Sequence, residues 1–332
     1  MKIEVNNKNY NFFSDYRIIL KYNSIADAFS FSAKRDVLEY FLKYPECKIF
    51  DDNNNLLITG TILAPKLRST SKPELIRING YGLPGILEDC NIPVSLYPLQ
   101  FDNLSLIQIS ERILEAFGLK YVFTSNVIDD LEKKYAKVST EPGITIKQFL
   151  NNLASQRNIF LTRNNFGELV FSRYDQSKFR PVVYFEEGNP GIENIQLYIN
   201  SQLLHSEITI LKEASKDNPD ATEHTIQNPY VDKFRPSVKK MNSGDVFDVK
   251  KAARNALSSE LSSIKINFKT TKFVNVGNTI SLVAPSIKIN KPTELFVEQV
   301  QISGSSKTID KYVVTCVLPE IYSNTDFKNI FE

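Results

Sequence analysis

The sequence predicts a mainly β protein of the α+β class. Three observations predict it: short strand-like runs at close spacing up to about residue 96, two amphipathic helices after them, and alternating strands near the end. Many short strands at such spacing favour a barrel or a sandwich. The chain has 332 residues, beyond the size at which one hydrophobic core usually keeps growing, so two or more domains are expected.

The clearest β-signal is a predicted hairpin. The apolar and β-branched runs Cys47–Phe50 and Leu56–Ile62 flank the run Asp51–Asn55. Asp and Asn tolerate turn geometry and bond their own backbone, so this pattern predicts two strands joined by a polar turn.

Three further strands complete the first domain. Tyr16–Leu20 and Ile25–Ser32 precede the hairpin, and Phe29 and Phe31 are expected on one face of the second of them. Leu75–Asn79 follows it and leads through Gly80, Gly82 and Gly85 into a short helical corner that ends near Cys90. We therefore assign residues 1–96 to a first β-domain.

Two capping signatures mark the change to helices. Ser105 with Gln108, and Thr145 with Gln148, have the spacing at which a hydroxyl and an amide satisfy backbone N–H groups at a helix start. Apolar residues follow each at helical spacing, and Gly118 ends the first helix. A second hairpin, formed by 159–162 and 169–172, completes a small α+β domain over residues 97–175.

Strands return after this domain. Val182–Phe185 and Glu207–Leu211 have β-character, whereas 213–242 is polar and proline-containing and predicts a long loop or arm. An amphipathic helix is predicted over Asp245–Ser263, with Val246, Val249, Ala253, Ala256 and Leu257 on its apolar side.

The last part of the chain is again β. Ile264, Ile266 and Phe268 alternate with polar residues, as in a half-buried strand. Further strands are predicted at 279–283 and 299–302. Tyr312–Leu318 is apolar on both faces, so we expect it at the centre of its sheet, and Pro319 ends it because proline cannot donate to a ladder.

No group of residues predicts a catalytic or cofactor site. Gly80, Gly82 and Gly85 spell G-x-G-x-x-G, but a dinucleotide site needs a following helix inside a βαβ unit, and Pro93 allows only a few turns here. The spacing favours glycines that turn a barrel corner.

Metal sites are not predicted either. Asp51, Asn53 and Asn55 have the alternate spacing of a calcium loop, but Leu56 and Ile62 stand where that loop needs Gly and Glu. The two histidines, His205 and His224, have no cysteine or second histidine at ligand spacing.

Carboxylates are present in pairs, such as Glu186–Glu187 and Asp129–Asp130, but the sequence marks none as a general acid. We expect no catalytic, cofactor-binding or metal-binding residues and no cofactor. Lys250, Lys251 and Arg254 form a basic flank on the predicted helix, which a solvated surface explains as well as a binding patch does.

Composition is that of a folded soluble protein made in the cytosol. The net charge is +2, which gives no drive toward nucleic acid or membrane, and the three cysteines are expected as buried thiols. The N-terminus turns polar too early for a signal peptide, and no apolar run could span a bilayer. We expect no membrane insertion.

The co-linear order of these segments resembles the baseplate hub proteins of long-tailed phages, in particular the Mu-like tail hub family. Cys47–Ile62 is similar to the second hairpin of the family, and Ile76–Gly82 with Leu87–Cys90 is similar to its barrel-ending strand and corner. Glu141–Thr145 with its helix, and the hairpin around Asn165–Val170, resemble the small α+β domain of such hubs. Tyr81 stands where a basic residue is common in the family.

The strands at the end of the chain extend the resemblance. Val276–Asn278, Leu295–Val300 and Val317–Tyr322 are similar to the closing strands of such hubs. Family members often have tryptophan in these late strands, and this chain has none.

The resemblance implies two β-barrel domains with the small α+β domain between them and a helix-bearing insertion. The first barrel is then 1–96 and the second is split into 176–212 and 262–323, around an inserted loop and helix at 213–261, with 324–332 as a tail. It also implies a homotrimer, whose six barrels adapt a six-fold tail tube to a three-fold central spike in the virion tail baseplate.

The implied partners are other copies of the chain, the tail tube protein, the central spike protein, the baseplate wedge proteins and the tape measure protein, with DNA only as cargo in the lumen. The residues after Pro319 leave no room for an appended lysozyme module, so we expect no enzyme activity.

The hub of a tailocin or other contractile injection system is an alternative. Other classes are a cell-wall glycosidase or esterase and a glycan- or nucleic-acid-binding barrel protein.

Overall fold

The computed structural model describes residues 1–5, 7–10, 13–34, 43–63, 75–157, 159–174, 180–212, 222–241, 249–305, 308–323 and 325–332. It is mainly β, which confirms the predicted fold class. The chain forms two compact units. Unit 1 comprises Met1–Arg173 and Gln301–Lys311, and unit 2 comprises Tyr174–Val300 and Tyr312–Glu332.

The first part of unit 1 is an antiparallel sheet. Its strands are β1 (Lys2–Val5), β2 (Lys8–Tyr10), β3 (Asp15–Lys21), β4 (Ala28–Lys34), β5 (Glu46–Phe50), β6 (Leu56–Ile62) and β7 (Leu75–Gly82). They follow the order β3–β4–β7–β6–β5–β1–β2, and a later long strand lies beside β3. In that later strand Gln301 accepts a 2.6 Å hydrogen bond from Arg17.

Alternating burial shows why these runs form strands. Tyr16, Ile18 and Leu20 of β3 are buried between exposed or half-buried neighbours. Phe29 and Phe31 of β4 are both buried and their rings stack with centroids 6.1 Å apart, which confirms that they share a face. The hairpin predicted from Cys47 to Ile62 is confirmed by the pairing of β5 with β6.

The second part of unit 1 contains helices and a small sheet. Its elements are α1 (Ile86–Asp89), α2 (Leu106–Glu115), β8 (Tyr121–Phe123), α3 (Ile128–Glu132), α4 (Ile146–Ser155), β9 (Phe160–Arg163) and β10 (Leu169–Ser172). The strand order is β8–β10–β9. The capping box is confirmed, since Ser105 Oγ accepts from the Gln108 N–H and the Gln108 side chain accepts from the Ser105 N–H.

The β9–β10 hairpin fastens this second part to the first sheet. Asn165, in the hairpin turn, accepts a 2.9 Å hydrogen bond from the Thr59 hydroxyl through its carbonyl and donates a 2.8 Å bond to the Leu56 carbonyl. Arg163, at the end of β9, forms an ion pair with the buried Asp27. Polar contacts therefore hold the two parts of unit 1 together.

Unit 2 contains several strands of a 13-stranded sheet to which β1–β7 also belong, a smaller sheet and one long helix. The elements are β11 (Val183–Glu186), β12 (Ile192–Ile199), β13 (Glu207–Lys212), β14 (Thr222–Gln227), β15 (Pro236–Met241), α5 (Val249–Leu261), β16 (Ile264–Thr270), β17 (Thr279–Ala284), β18 (Ile289–Ser305) and β19 (Thr308–Val317), the last two shared with unit 1. The larger sheet follows the order β12–β16–β19–β18–β17–β11. The interior place of β19 confirms the position predicted for Tyr312–Leu318.

The smaller sheet corrects one sequence prediction. The polar tract 213–242, predicted as a loop, contributes β14 and β15, which pair on either side of β13. Helix α5 packs against β13 and β14. The other side chains of β14 are exposed, so this strand forms with few apolar residues. Pro236 is tolerated because it begins an edge strand. Strand β13, which the sequence prediction includes in the second barrel, lies in this smaller sheet.

Helix α5 confirms the predicted amphipathic helix over its described part. Ala253 and Leu257 are fully buried together with Ile208 and Ile210 of β13. Val246, which the sequence places on the same side, lies outside the described residues. None of the helices in the described ranges combines the length and the apolar character needed to cross a bilayer.

Candidate interaction surfaces

The glycine-rich run is a packing feature of β7 and the corner after it. A Cβ on Gly80 would lie 2.1 Å from the Phe29 ring and 2.3 Å from the Thr61 carbonyl oxygen. After Gly82 come a single turn of 3-10 helix and the four-residue α1. The corner interpretation is confirmed, because no helix of useful length begins here to face a phosphate.

The Asx-rich run is a hairpin turn. The Asp51 carboxylate accepts the Asn55 backbone N–H at 2.7 Å and the Asn55 side-chain amide at 2.9 Å, and Asn54 adopts a left-handed conformation. The side-chain oxygens that would ligate calcium thus hold the turn itself. In the described part of the chain, no three His, Cys, Asp or Glu side chains are placed to share a metal ion.

The two histidines lie in different surroundings. His205 Nδ1 lies 3.0 Å from the buried Glu260 carboxylate, which also accepts from the His205 backbone N–H and from Lys239 Nζ at 3.1 Å. His224 lies opposite Ile210 in the small sheet. The His205–Glu260–Lys239 cluster joins α5 to the segment before β13 and to the edge strand β15, which is a structural use.

The paired carboxylates have ordinary structural partners. Asp130 accepts from Lys133 and Arg173, which lowers its pKa to about 2. Hydrogen bonds from the Ser286 hydroxyl and from its backbone N–H, the latter 3.0 Å long, lower the pKa of Glu187. A general acid needs the opposite shift, so Asp130 and Glu187 do not have the character of a glycosidase acid.

Replacing Asp130 by asparagine is expected to cost about 1 kcal/mol of stability at pH 7, a value reduced for solvent screening of a surface pair. The folded-state pKa of about 2 lies below the ordinary 3.8, so the carboxylate stabilises the fold above pH 3.8. This contribution is lost as the pH falls from 3.8 through 2. Thermal unfolding of the two proteins from pH 7 to pH 2.5 should therefore converge, and a constant difference would contradict the assignment.

The basic flank of α5 is partly engaged within the protein. Arg254 donates hydrogen bonds to the backbone carbonyls of Glu320, Ser323 and Thr325, and its guanidinium lies 4.7 Å from the Phe327 ring centroid. Arg254 thus fixes the C-terminal segment onto α5. Arg254 is therefore engaged within the protein, which weakens the nucleic-acid-binding alternative.

A cleft of about 600 Å³ lies where the start of β18 meets the C-terminal segment. Glu294 and Glu320 both line it, together with Lys291 and Lys328. Burial is the main cause that raises the pKa of Glu320. The sequence did not single out these two carboxylates, because they are separated along the chain and lie in unremarkable local patterns.

Exposed apolar side chains are concentrated in unit 2. Tyr198 and Ile199 at the end of β12, Leu203 just after it, and Phe234 before β15 are 58%, 41%, 52% and 73% exposed. The Arg235 guanidinium donates to the carbonyls of Ser201 and Gln202, which places Phe234 next to the segment after β12. We name Tyr198, Ile199, Leu203 and Phe234 the β12 patch.

Sequence reasoning missed the β12 patch, although a signal was present. Residues 194–204 contain no charged residue, whereas exposed strand edges in soluble proteins are commonly protected by charges. The periodicity of this run is weak because a register shift interrupts β12 between Glu193 and Gln196. Without regular alternation the exposed and buried sides could not be told apart.

The second part of unit 1 matches the model of a known protein family. Residues 84–173 match the model of a family described as baseplate hub protein gp44-like, second domain. The resemblance to baseplate hub proteins that the sequence indicated is therefore confirmed. A sequence search among curated proteins gives no significant match.

Solved structures share the fold along nearly the whole chain. The 43 kDa tail protein of prophage MuSo2 from Shewanella oneidensis is 18% identical, with a TM-score of 0.79 over 97% of this chain and 99% of that chain. The tail protein from Neisseria meningitidis MC58 is 17% identical, with a TM-score of 0.78 over 97% of each.

A third structure comes from secretion machinery. An E. coli protein, described as a component of the type VI secretion system with structural similarity to the T4 bacteriophage tail proteins gp27 and gp5, is 12% identical. Its TM-score is 0.61 over 97% of this chain and 78% of that chain. At these identities the similarity shows a common fold.

Proposed function

We propose that this chain is a baseplate hub subunit of a phage tail. In this proposal three copies form a ring that adapts the six-fold tail tube to the three-fold central spike and lines part of the tail channel. The observation that carries the proposal is the hub-family match over residues 84–173, inside a chain whose fold follows phage tail proteins over 97% of its length.

The architecture suits a ring. Unit 1 and unit 2 each contribute several strands to the 13-stranded sheet, so three copies would offer six such groups of strands to a six-fold neighbour. A head-to-tail interface that closes after three copies leaves no free face on which a filament could grow. The ring would meet the tube protein on one side and the spike protein on the other, with wedge and tape measure proteins nearby and DNA only as cargo.

The domain division belongs to the same proposal. Residues 97–175 would be the small α+β domain, whose hydrophobic core around α2 and α4 also takes in Ile25, Leu87 and Ile92. Residues 1–96 would be the first barrel, and 176–212 with 262–323 the second, less the part of that range that forms β13. The inserted segment would then include β13, β14, β15 and α5.

The purified chain is expected to be a trimer in solution. Light scattering on a sizing column should give about three times the chain mass of 37.9 kDa, because a closed ring buries identical interfaces in every copy. A maltose-binding protein run in the same buffer serves as the mass control. A mass of one chain at every concentration up to the solubility limit would contradict the ring.

The hub of a tailocin or other contractile injection system is the second candidate. The fold similarity to the E. coli secretion-system component favours it. Genes beside the coding sequence decide between the two, since a capsid and a terminase gene belong to a phage and are not needed by an injection system without a head.

We also propose that the chain has no enzyme activity. Pure protein is expected to release no soluble fragments from peptidoglycan above the background of a buffer blank. The cleft that contains Glu294 and Glu320 is where activity would be expected otherwise, because a carboxyl with a raised pKa beside a second carboxylate is what a glycosidase requires. Release of fragments that is lost in Glu320→Gln would contradict the proposal and locate the site.

A further inference from the structure

The cleft between the start of β18 and the C-terminal segment is lined mainly by polar groups. One wall is formed by 291–294 and the other by residues within 319–330, and all of them belong to unit 2. The volume of about 600 Å³ lies in the range of clefts that hold a ligand of drug size. The cleft is therefore large enough for one long side chain together with its flanking backbone.

The uncharged polar side chains of the lining have partners inside the protein. The Thr293 hydroxyl donates to a backbone carbonyl two residues away at 2.9 Å, and the hydroxyls of Ser323 and Thr325 share a hydrogen bond. The Asn329 amide donates to the Pro229 carbonyl at 3.2 Å. These side chains thus contribute to the shape of the walls, and the charged groups of the lining remain to contact a ligand.

Glu320 differs from these groups because one of its carboxylate oxygens lacks a partner. Among the described residues of the lining, its Oε2 is the buried side-chain atom without a hydrogen bond. Burial raises the pKa of Glu320 and the charge of Glu294 adds to this effect, whereas Lys328 and Arg254 act in the opposite direction. A carboxylate oxygen that is removed from water and has no donor costs free energy. A donor supplied from outside would recover that cost.

The cations that act on Glu320 do not supply this donor. The hydrogen bonds that Arg254 forms with the C-terminal segment end on three backbone carbonyls, so its guanidinium affects the carboxylate through its charge alone. Lys328 and, on the opposite wall, Lys291 are exposed, and such side chains extend their ammonium groups into water. The carboxylate therefore faces the cleft with a hydrogen-bonding site that the fold leaves open.

We propose that this cleft binds an arginine side chain of another polypeptide, with Glu320 and Glu294 as the acceptors for its guanidinium. Charge-assisted hydrogen bonds are the strong class, and the planar guanidinium presents five N–H donors, enough to serve two carboxylates at once. A metal ion fits less well, because no three His, Cys, Asp or Glu side chains of the described chain are placed to share one. The guanidinium fills only a small part of the cleft, which favours a peptide over a free small cation.

A ligand-observed NMR titration of the full chain tests the site. The probe is N-acetyl-arginine amide, which presents the side chain between two peptide groups, and N-acetyl-citrulline amide has nearly the same shape without the charge. Binding of the arginine probe is expected at pH 7, with the citrulline probe weaker by about 10-fold or more. Free arginine, which has charged groups in place of the two peptide groups, is expected to bind less tightly than the amide.

Substitutions of the two carboxylates locate the site. Glu320→Gln should weaken binding of the arginine probe by about 10-fold or more, and Glu294→Gln, at an exposed position, by about 3-fold. Glu223→Gln, on exposed β14 of the same unit, removes the same charge and should leave binding unchanged. Glu320→Gln should also unfold at the wild-type temperature or above it, because it no longer buries an ionised oxygen. The Glu294 variant covers the case in which it fails to fold.

Three results would overturn the inference. They are equal titration curves for the arginine and citrulline probes, undiminished binding in both folded variants, and tighter binding of free arginine than of its amide, which would indicate a site for a small molecule. Each of them leaves the proposed function standing, because the ring does not need the cleft. The measurement is also independent of the oligomeric state, since the whole lining belongs to one unit of one chain.

Discussion

Replacing Gly80 by alanine is expected to lower the free energy of unfolding of unit 1 by about 3 kcal/mol or more. The added Cβ would lie 2.1 Å from the Phe29 ring and 2.3 Å from the Thr61 carbonyl oxygen. The ring is 3% exposed and packed within the core, and the carbonyl belongs to the neighbouring strand β6. Neither can move without disturbing the sheet. Thermal unfolding by circular dichroism measures the effect.

Gly82→Ala is the matched control, two residues further along the same strand. The nearest atom to its added Cβ is the Asp27 backbone nitrogen at 3.6 Å, an ordinary contact. Its backbone angles, φ −59° and ψ 146°, suit alanine, so the change should be within about 1 kcal/mol of neutral. Equal thermal-unfolding midpoints for the two variants would show that close packing is not the reason for a glycine at position 80.

This pair of variants also separates two explanations of the glycine motif. A phosphate-binding loop needs its glycines for close approach of a ligand, so both substitutions would then leave the stability similar and impair binding. The structure instead explains Gly80 by the Phe29 ring that lies across it. A large difference in stability between neighbouring glycines is the signature of a packing role.

The local signals in the sequence were sufficient for most elements of unit 1. The turn at Asp51–Asn55 and the capping residues Ser105 and Thr145 act through contacts with residues three or four positions away. Such contacts depend on spacing alone, and spacing is visible in a sequence. The helices and the hairpin were therefore predictable without knowledge of tertiary structure.

Contacts between distant segments were not predictable from spacing. The end of β18 and the start of β19, within Gln301–Lys311, belong to unit 1, although the rest of both strands lies in unit 2. The polar strand β14 was missed because only one of its faces is covered, by α5, so its composition is that of a loop. The β12 patch was missed for a related reason: whether a side chain of a strand is exposed depends on which other elements pack against that strand.

Replacing Arg163 by methionine is expected to destabilise unit 1 by about 3–5 kcal/mol at pH 7. Arg163 forms an ion pair with Asp27, whose side chain is 1% exposed. Methionine has a similar length but leaves the Asp27 carboxylate buried without a counter-charge. The Lys21 backbone N–H, 3.0 Å from the carboxylate, would be its remaining hydrogen-bond donor. Thermal unfolding at pH 7 gives the measurement, and exposed Arg77→Met is the control, with an expected change within about 0.5 kcal/mol.

The pH dependence of this variant identifies the cause of its instability. Burial already raises the pKa of Asp27 against the opposing effect of Arg163, and loss of the arginine raises it further. A group with a raised folded-state pKa stabilises the fold at low pH and loses that contribution as the pH rises through the folded value. Arg163→Met should therefore recover stability relative to the wild type as the pH falls from 7 to 5.

Removing the charge itself completes the argument. Asp27→Asn in the Arg163→Met background keeps an acceptor for the Lys21 N–H but has no charge to bury. The double variant should therefore be more stable at pH 7 than Arg163→Met alone, and its stability should not increase toward pH 5. If the Asp27→Asn substitution instead adds to the loss, the destabilisation comes from the packing of the arginine side chain. The contact between the β9–β10 hairpin and the first sheet would then depend on shape more than on charge.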